Sequence, residues 1–118
     1  MEKLGTVRKD YLSSAVTYHR GAQSVAIQAA IGRSDHQYMD NTGGAIAVES
    51  RDFIVTAADL IIGSVVVEPI VGDRIKQTIG SAVRVYAVAP PYQGERHFRP
   101  ADQYGLSLRI HTKEVAVE

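Results

Sequence analysis

Apolar and polar positions alternate most clearly between Pro69 and Pro90, in PIVGDRIKQTIGSAVRVYAVAP. Gly72-Asp73 makes a turn, Arg74 to Thr78 alternates, and Ile79-Gly80-Ser81 offers a second turn. Val83, Val85 and Ala87 then alternate with Arg84, Tyr86 and Val88, so the stretch predicts a β-hairpin. An isolated hairpin is marginal in water, and strands from elsewhere must cover its apolar face.

The rest of the chain supplies them. Val16 and Tyr18 share one face of Ser14 to Arg20, with Thr17 and His19 on the other, and Gly21-Ala22 closes the run. Val25, Ile27, Ala29 and Ile31 recur at every second position against Ala26, Gln28 and Ala30, which is strand periodicity and completes a first hairpin. Turn formers crowd Gly32 to Gly44, GRSDHQYMDNTGG, and predict a long Gly-rich loop over residues 33–44. Ala45 to Thr56 is strand-like around Glu49-Ser50-Arg51-Asp52, with Phe53 and Val55 on one side and Ile54 and Thr56 on the other. Ala57 to Leu60 allows only a turn of helix. The apolar run Ile61 to Glu68 is interrupted at Gly63, where a bulge or tight bend fits, and Pro69 places it at an edge or a strand end. A final strand over Tyr104 to Lys113 is expected to send Leu106, Leu108, Ile110 and Thr112 inward, and Ser107, Arg109, His111 and Lys113 outward.

Short strands punctuated by Gly and Pro, with no amphipathic helix of ordinary length, predict an all-β fold. The expected form is a small sandwich or barrel of about six to eight strands. At 118 residues the chain is read as one domain, with residues 1–12 as a flexible arm because they show no strong period. Hydrophobic residues at 45% and charged residues at 22% are those of an ordinary globular protein, and no apolar run approaches the ~20 residues that span a bilayer. The first residues do not look like a signal peptide. Without cysteine there are no disulfides or thiolate metal sites, and zero net charge gives no global attraction to nucleic acid or an anionic membrane.

Candidate chemistry is sparse. His19, His36, His97 and His111 show no ligand spacing, so no metal and no cofactor is expected, even though His97, Asp102 and His111 can be drawn as a cluster. No serine lies in a G-x-S-x-G elbow, Gly43-Gly44 is not followed by Lys-Ser or Lys-Thr, and Asp59 and Asp73 read as turn formers. An enzyme is therefore not expected. Between Arg84 and Lys113, Arg84, Arg96, Arg99, Arg109 and Lys113 face only Glu95 and Asp102, with Tyr86, Tyr92, Phe98 and Tyr104 interleaved. That composition suits a protein-contact rim, or a surface that grips single-stranded nucleic acid.

The order of these pieces resembles the lambda-type head-tail joining (head completion or stopper) proteins of tailed bacteriophages. The resemblance is carried by RDFIVTAADLI and EPIVGDRIKQTIGSAVRVYAVAP, specifically Phe53, Val55, Ala58, Asp59, Leu60, Gly72, Asp73, Ile75, Val85 and Tyr86. It implies a virion structural protein at the head-tail interface, made in the cytoplasm of the host bacterium. Such a protein assembles as a homo-oligomeric ring, hexamer or dodecamer, between portal or adaptor proteins and tail-terminator proteins. It closes the DNA-filled head and docks the tail. The alternatives are a single-stranded nucleic-acid-binding barrel and another neck or minor tail structural protein. Interface residues are expected in the arm, at Tyr11, and in the loop, at Asp35, His36, Gln37, Tyr38, Met39, Asp40, Asn41 and Thr42. Arg84, Arg96, Arg99, Arg109 and Lys113 are candidates for lining a DNA channel or contacting a partner.

Overall fold

A computed structural model describes residues 13–39 and 43–118. Nine strands follow in order: β1 (Ser13–Arg20), β2 (Gln23–Met39), β3 (Ala45–Thr56), β4 (Ile61–Ile62), β5 (Val65–Val66), β6 (Arg74–Ile79), β7 (Ala82–Val88), β8 (Phe98–Pro100) and β9 (Ser107–Val117). A 3-10 turn, Ala57–Asp59, follows β3 where the short helix-forming run stood in the sequence. The main sheet runs β3-β2-β1-β6-β7-β9, and β3 pairs back onto β9, closing a six-stranded barrel with β8 outside the ring. The expectation of a small all-β barrel is met.

Both predicted hairpins form, β1 with β2 and β6 with β7, every ladder being antiparallel. Val16, Tyr18, Ile27, Ala29, Phe53, Val55, Ile75, Tyr86, Val88, Leu108 and Ile110 fill the lumen, and each fully buried large side chain contributes roughly 1.5–3 kcal/mol. Val85, next to Tyr86, is also buried but stands outside this cluster, since neighbours on a strand point to opposite faces. The ladder between β7 and β9 slips at this point, pairing Val85 with Ala116 and Tyr86 with Glu114, so Val115 is an extra residue.

β8 continues the course of β7 along the same edge of β9. Ala89 donates to the His111 carbonyl, and the His111 amide donates to the His97 carbonyl, so the chain leaves β9 after Ala89 and rejoins it at His97. The intervening Pro-rich excursion buries Pro91.

Two expectations need correction. Most of the loop expected over residues 33–44 is strand, because β2 runs to Met39 and β3 begins at Ala45. Pairs from Ser34↔Ser50 to Met39↔Ala45 form a ribbon that no third strand joins among the described residues. At about 3.3 Å per residue it reaches roughly 20 Å beyond the barrel wall. The bend expected at Gly63 is present: it joins a hairpin of two short strands, with Gly63 and Ser64 both at positive φ (62° and 68°) as a two-residue turn requires. In the last strand Leu106 is 65% exposed and His111 only 1% exposed. Leu106 lies in the turn before β9, its amide held by Asp102, whereas His111 is covered by its polar partners on the outer face.

The arm over residues 1–12 and the tip at residues 40–42 lie outside the described residues.

Candidate partner-contact surfaces

Strand directions sort the features to the two ends of the barrel. One end, called here the upper end, carries the start of β1, the β2–β3 ribbon, the turn between β6 and β7 and the end of β9. The lower end carries the 3-10 turn, the β4–β5 hairpin, residues 67–73 and the start of β9.

Gly72 and Asp73 build much of the lower rim. Gly72 takes φ 99° and donates its amide to Val88, and the Val88 amide donates to the Asp73 carbonyl, which starts the β6–β7 ladder. The buried Asp73 carboxylate accepts from the Tyr18 hydroxyl, from Arg20 Nε and Nη2, and from the Ile70 amide. Arg20 Nη2 also donates to the Glu68 carbonyl. Burial alone would push the Asp73 carboxyl up, but these donors outweigh it and hold it below the usual carboxylate range. Burial, reinforced by the Asp73 charge, pushes the Tyr18 phenol far above its ordinary value. The arrangement ties β1 to the β6 entry. Among the described side chains, most of the exposed large apolar ones also belong to this end: Ile61, Val65, Val66, Ile70, Val71, Tyr104 and Leu106.

A second polar cluster sits on the outer face at the root of the ribbon. Asp52 pairs in register with His111. His111 Nδ1 lies 2.8 Å from Asp52 Oδ1, Ser50 Oγ donates to that same oxygen at 2.7 Å, and Arg109 Nη1 donates to Asp52 Oδ2. Arg109 reaches Asp52 across Gly32, where a Cβ would lie 3.5 Å from its Nη1. Ser, His and Asp together suggest acyl transfer, but the geometry opposes it. Both Ser50 Oγ and the carboxylate address Nδ1, at 3.2 Å and 2.8 Å, whereas a nucleophile must stand at the nitrogen opposite the one its carboxylate orients. All three residues are also buried. The cluster anchors the ribbon.

The basic residues singled out in the sequence do not form one stripe. Arg84 on β7 pairs with Glu114 at 2.8 Å, Arg109 is engaged by Asp52, and Arg96 lies over the Phe98 ring at 5.3 Å. Arg99 stands opposite Arg109 in the β8–β9 ladder, and Lys113 is exposed opposite Ala87. Of the aromatics proposed to stack bases, Tyr86 and Phe98 are buried, Tyr92 is half-buried and Tyr104 is exposed. Two of the four are thus unavailable. His97 Nε2 bonds the Pro69 carbonyl and Asp102 holds the amides of its own turn, so the drawn cluster with His111 does not assemble. Among the described residues no three His, Cys, Asp or Glu side chains could hold a metal ion. Asp35 to Met39 belong to the ribbon, while Tyr11 and Asp40 to Thr42 lie outside the described residues.

The described residues form a closed barrel with a ribbon projecting from one end. The sequence profile of the phage head-tail joining protein family matches residues 2–118, nearly the whole chain. The chain belongs to that family. No curated protein and no solved structure matches it. Membership makes this head-tail joining protein a structural component of a bacteriophage virion, working among other head and tail proteins. Among its described residues, no helix is long and apolar enough to cross a membrane.

Sequence reasoning missed the residues that organise the joining protein's two ends. Ser50 and Asp52 were visible only as a charged junction within a strand-like run, and the register that brings them to His111 is a long-range property. Arg51 gave no signal either. It lies on the inward parity with Phe53, its guanidinium 4.8 Å from the Tyr86 ring centroid and 5.6 Å from that of Phe53, and its Nη2 donates to Gln77 Oε1 across the lumen at 2.7 Å.

Proposed function

We propose that this joining protein is the head-completion or stopper component, which closes the DNA-filled head and docks the tail. The observation that carries the reading is its polarity. A ribbon that no third strand joins among the described residues leaves one end of the barrel, and the other end presents exposed apolar side chains. Unpaired strand edges and apolar patches are the two commonest means by which a β-protein recruits neighbours, and a piece seated between head and tail needs one on each side.

In this reading the chain acts as a ring, hexamer or dodecamer, between portal or adaptor proteins and the tail terminator. It has no catalytic activity of its own. The segment from Asp35 to Thr42 and the arm around Tyr11 order against those neighbours. Arg99 and Lys113 are the basic residues best placed to meet passing DNA, because Arg84 and Arg109 are already ion-paired.

The test is electron microscopy of particles made with this gene disrupted. Filled or leaking heads beside separate tails are expected. Normal joined virions would overturn the reading.

A further inference from the structure

The barrel is closed weakly at one seam. β6 pairs with β7 from Arg74 to Ile79, but with β1 only through Arg74, Ile75 and Lys76. β1 is paired with β2 throughout, yet with β6 only at Thr17, Tyr18 and His19. Above these three pairs the strands part, and Ser14, Val16, Lys76, Gln77 and Thr78 line an open cleft on the upper end. Among the described residues, the edges Ser14 to Val16 and Gln77 to Ile79 have no strand partner across it.

Gln77 is where Arg51 arrives from the opposite wall. Of the five N–H donors of that guanidinium, only Nη2 has an acceptor among the described residues, and Nε is buried without one. Among the described residues no carboxylate lies within ion-pair distance of Arg51. Partial burial strengthens the demand, since a charge packed beside two aromatic rings is screened less than one in water.

We propose that the β1–β6 cleft receives an extended acidic segment of a neighbouring protein, which adds to the free edge of β6 and directs a carboxylate to Arg51. A strand edge supplies backbone hydrogen bonds for any extended peptide, and the unsatisfied guanidinium selects an acidic one. A protein carboxylate suits the site better than a DNA phosphate because Arg51 lies within the barrel mouth, reachable by one side chain but not by a duplex. The inference shares with the proposed function only the premise that the neighbour is a protein.

The full chain, labelled with nitrogen-15, is titrated at low salt with the pentapeptide acetyl-Thr-Val-Glu-Val-Thr-amide and with its counterpart carrying Gln in place of Glu. The Glu peptide is expected to move the amide signals of Val16, Gln77 and Thr78 and the Arg51 Nε–H signal, binding about tenfold more tightly than the Gln peptide. Arg51→Met should abolish that preference while the chain stays folded, since an apolar side chain of similar length can replace a buried cation. Equal binding of both peptides, a preference that survives Arg51→Met, or shifts confined to other regions would overturn the proposal. Stronger shifts of the same signals with a single-stranded 12-mer oligonucleotide would place nucleic acid in the cleft instead. Movement with protein concentration alone would place a second copy there. Because the readout needs no phage particles, it stands or falls separately from the joining role.

Discussion

At the scale of single residues, Asp73 shows how one side chain can hold a rim together. Its carboxylate collects donors from β1 and from the turn before β6, so Asp73→Asn leaves Arg20 without its counter-charge. The expected cost is roughly 2–3 kcal/mol at neutral pH, read as a lower urea midpoint with an unchanged slope. The sign of its pH dependence follows from the depressed folded-state value. The stabilisation is fully present above the unfolded carboxyl range near pH 4 and is lost as pH falls through the lower folded value. The gap between the parent chain and Asp73→Asn should therefore shrink below about pH 4, and a gap that stays constant into acid would refute this assignment. The Gly-Asp pair was legible in the sequence as a turn, but its partners were not. Tyr18 and Arg20 lie more than fifty residues away, and only closure of the barrel brings them within reach.

Elements with a buried face could be read from the sequence, and elements without one could not. The β1–β2 and β6–β7 hairpins were legible because the lumen imposes an alternation that one glance at Val16, Tyr18, Ile27 and Ala29 reveals. The distal ribbon has no covering strand among the described residues, so nothing requires every second position to be apolar. Its turn-rich composition then reads as loop although its backbone is fully laddered. This makes the ribbon separable from the barrel. Replacing residues 35–49 by Asn-Gly, which closes the Ser34↔Ser50 pair with a two-residue turn, should leave a folded barrel of nearly parental melting temperature but abolish head-tail joining. Complementation of disrupted phage, scored as infectious particles, checks this, and undiminished joining would count against the ribbon as a contact element. The β4–β5 turn offers a second test at this scale. Ser64 holds φ 68° without the freedom of glycine, so Ser64→Gly should stabilise by about 0.5–1 kcal/mol in urea unfolding. Gly63→Val should destabilise, since a side chain there meets both positive φ and Gln23 Nε2 at 3.2 Å from its Cβ.

At the scale of the whole molecule, the barrel separates two kinds of surface that a connector needs to keep apart. Ile61 and Val66 form an outward cross-strand pair at the lower end, while Ile62 beside them is buried against the core. An exposed branched aliphatic pair is apolar surface that a docking partner would cover. Ile61→Thr with Val66→Thr keeps the β-branching that favours a strand and removes the apolar surface. The double variant should therefore fold with stability within about 1 kcal/mol of the parent, because neither side chain is buried in the monomer. If the lower end docks a neighbour, the same variant should fail to join heads to tails, and its defect should resemble that of the ribbon replacement without sharing its cause. Mixing the two variants separates the cases. In a ring with each subunit contacting one neighbour through its lower end and another through its ribbon, neither variant can supply both contacts, and mixtures should join poorly at every ratio. Recovery of joining at intermediate ratios would instead show that a ring tolerates a fraction of subunits lacking either contact. Full joining by the threonine variant alone would remove the lower end from the interface.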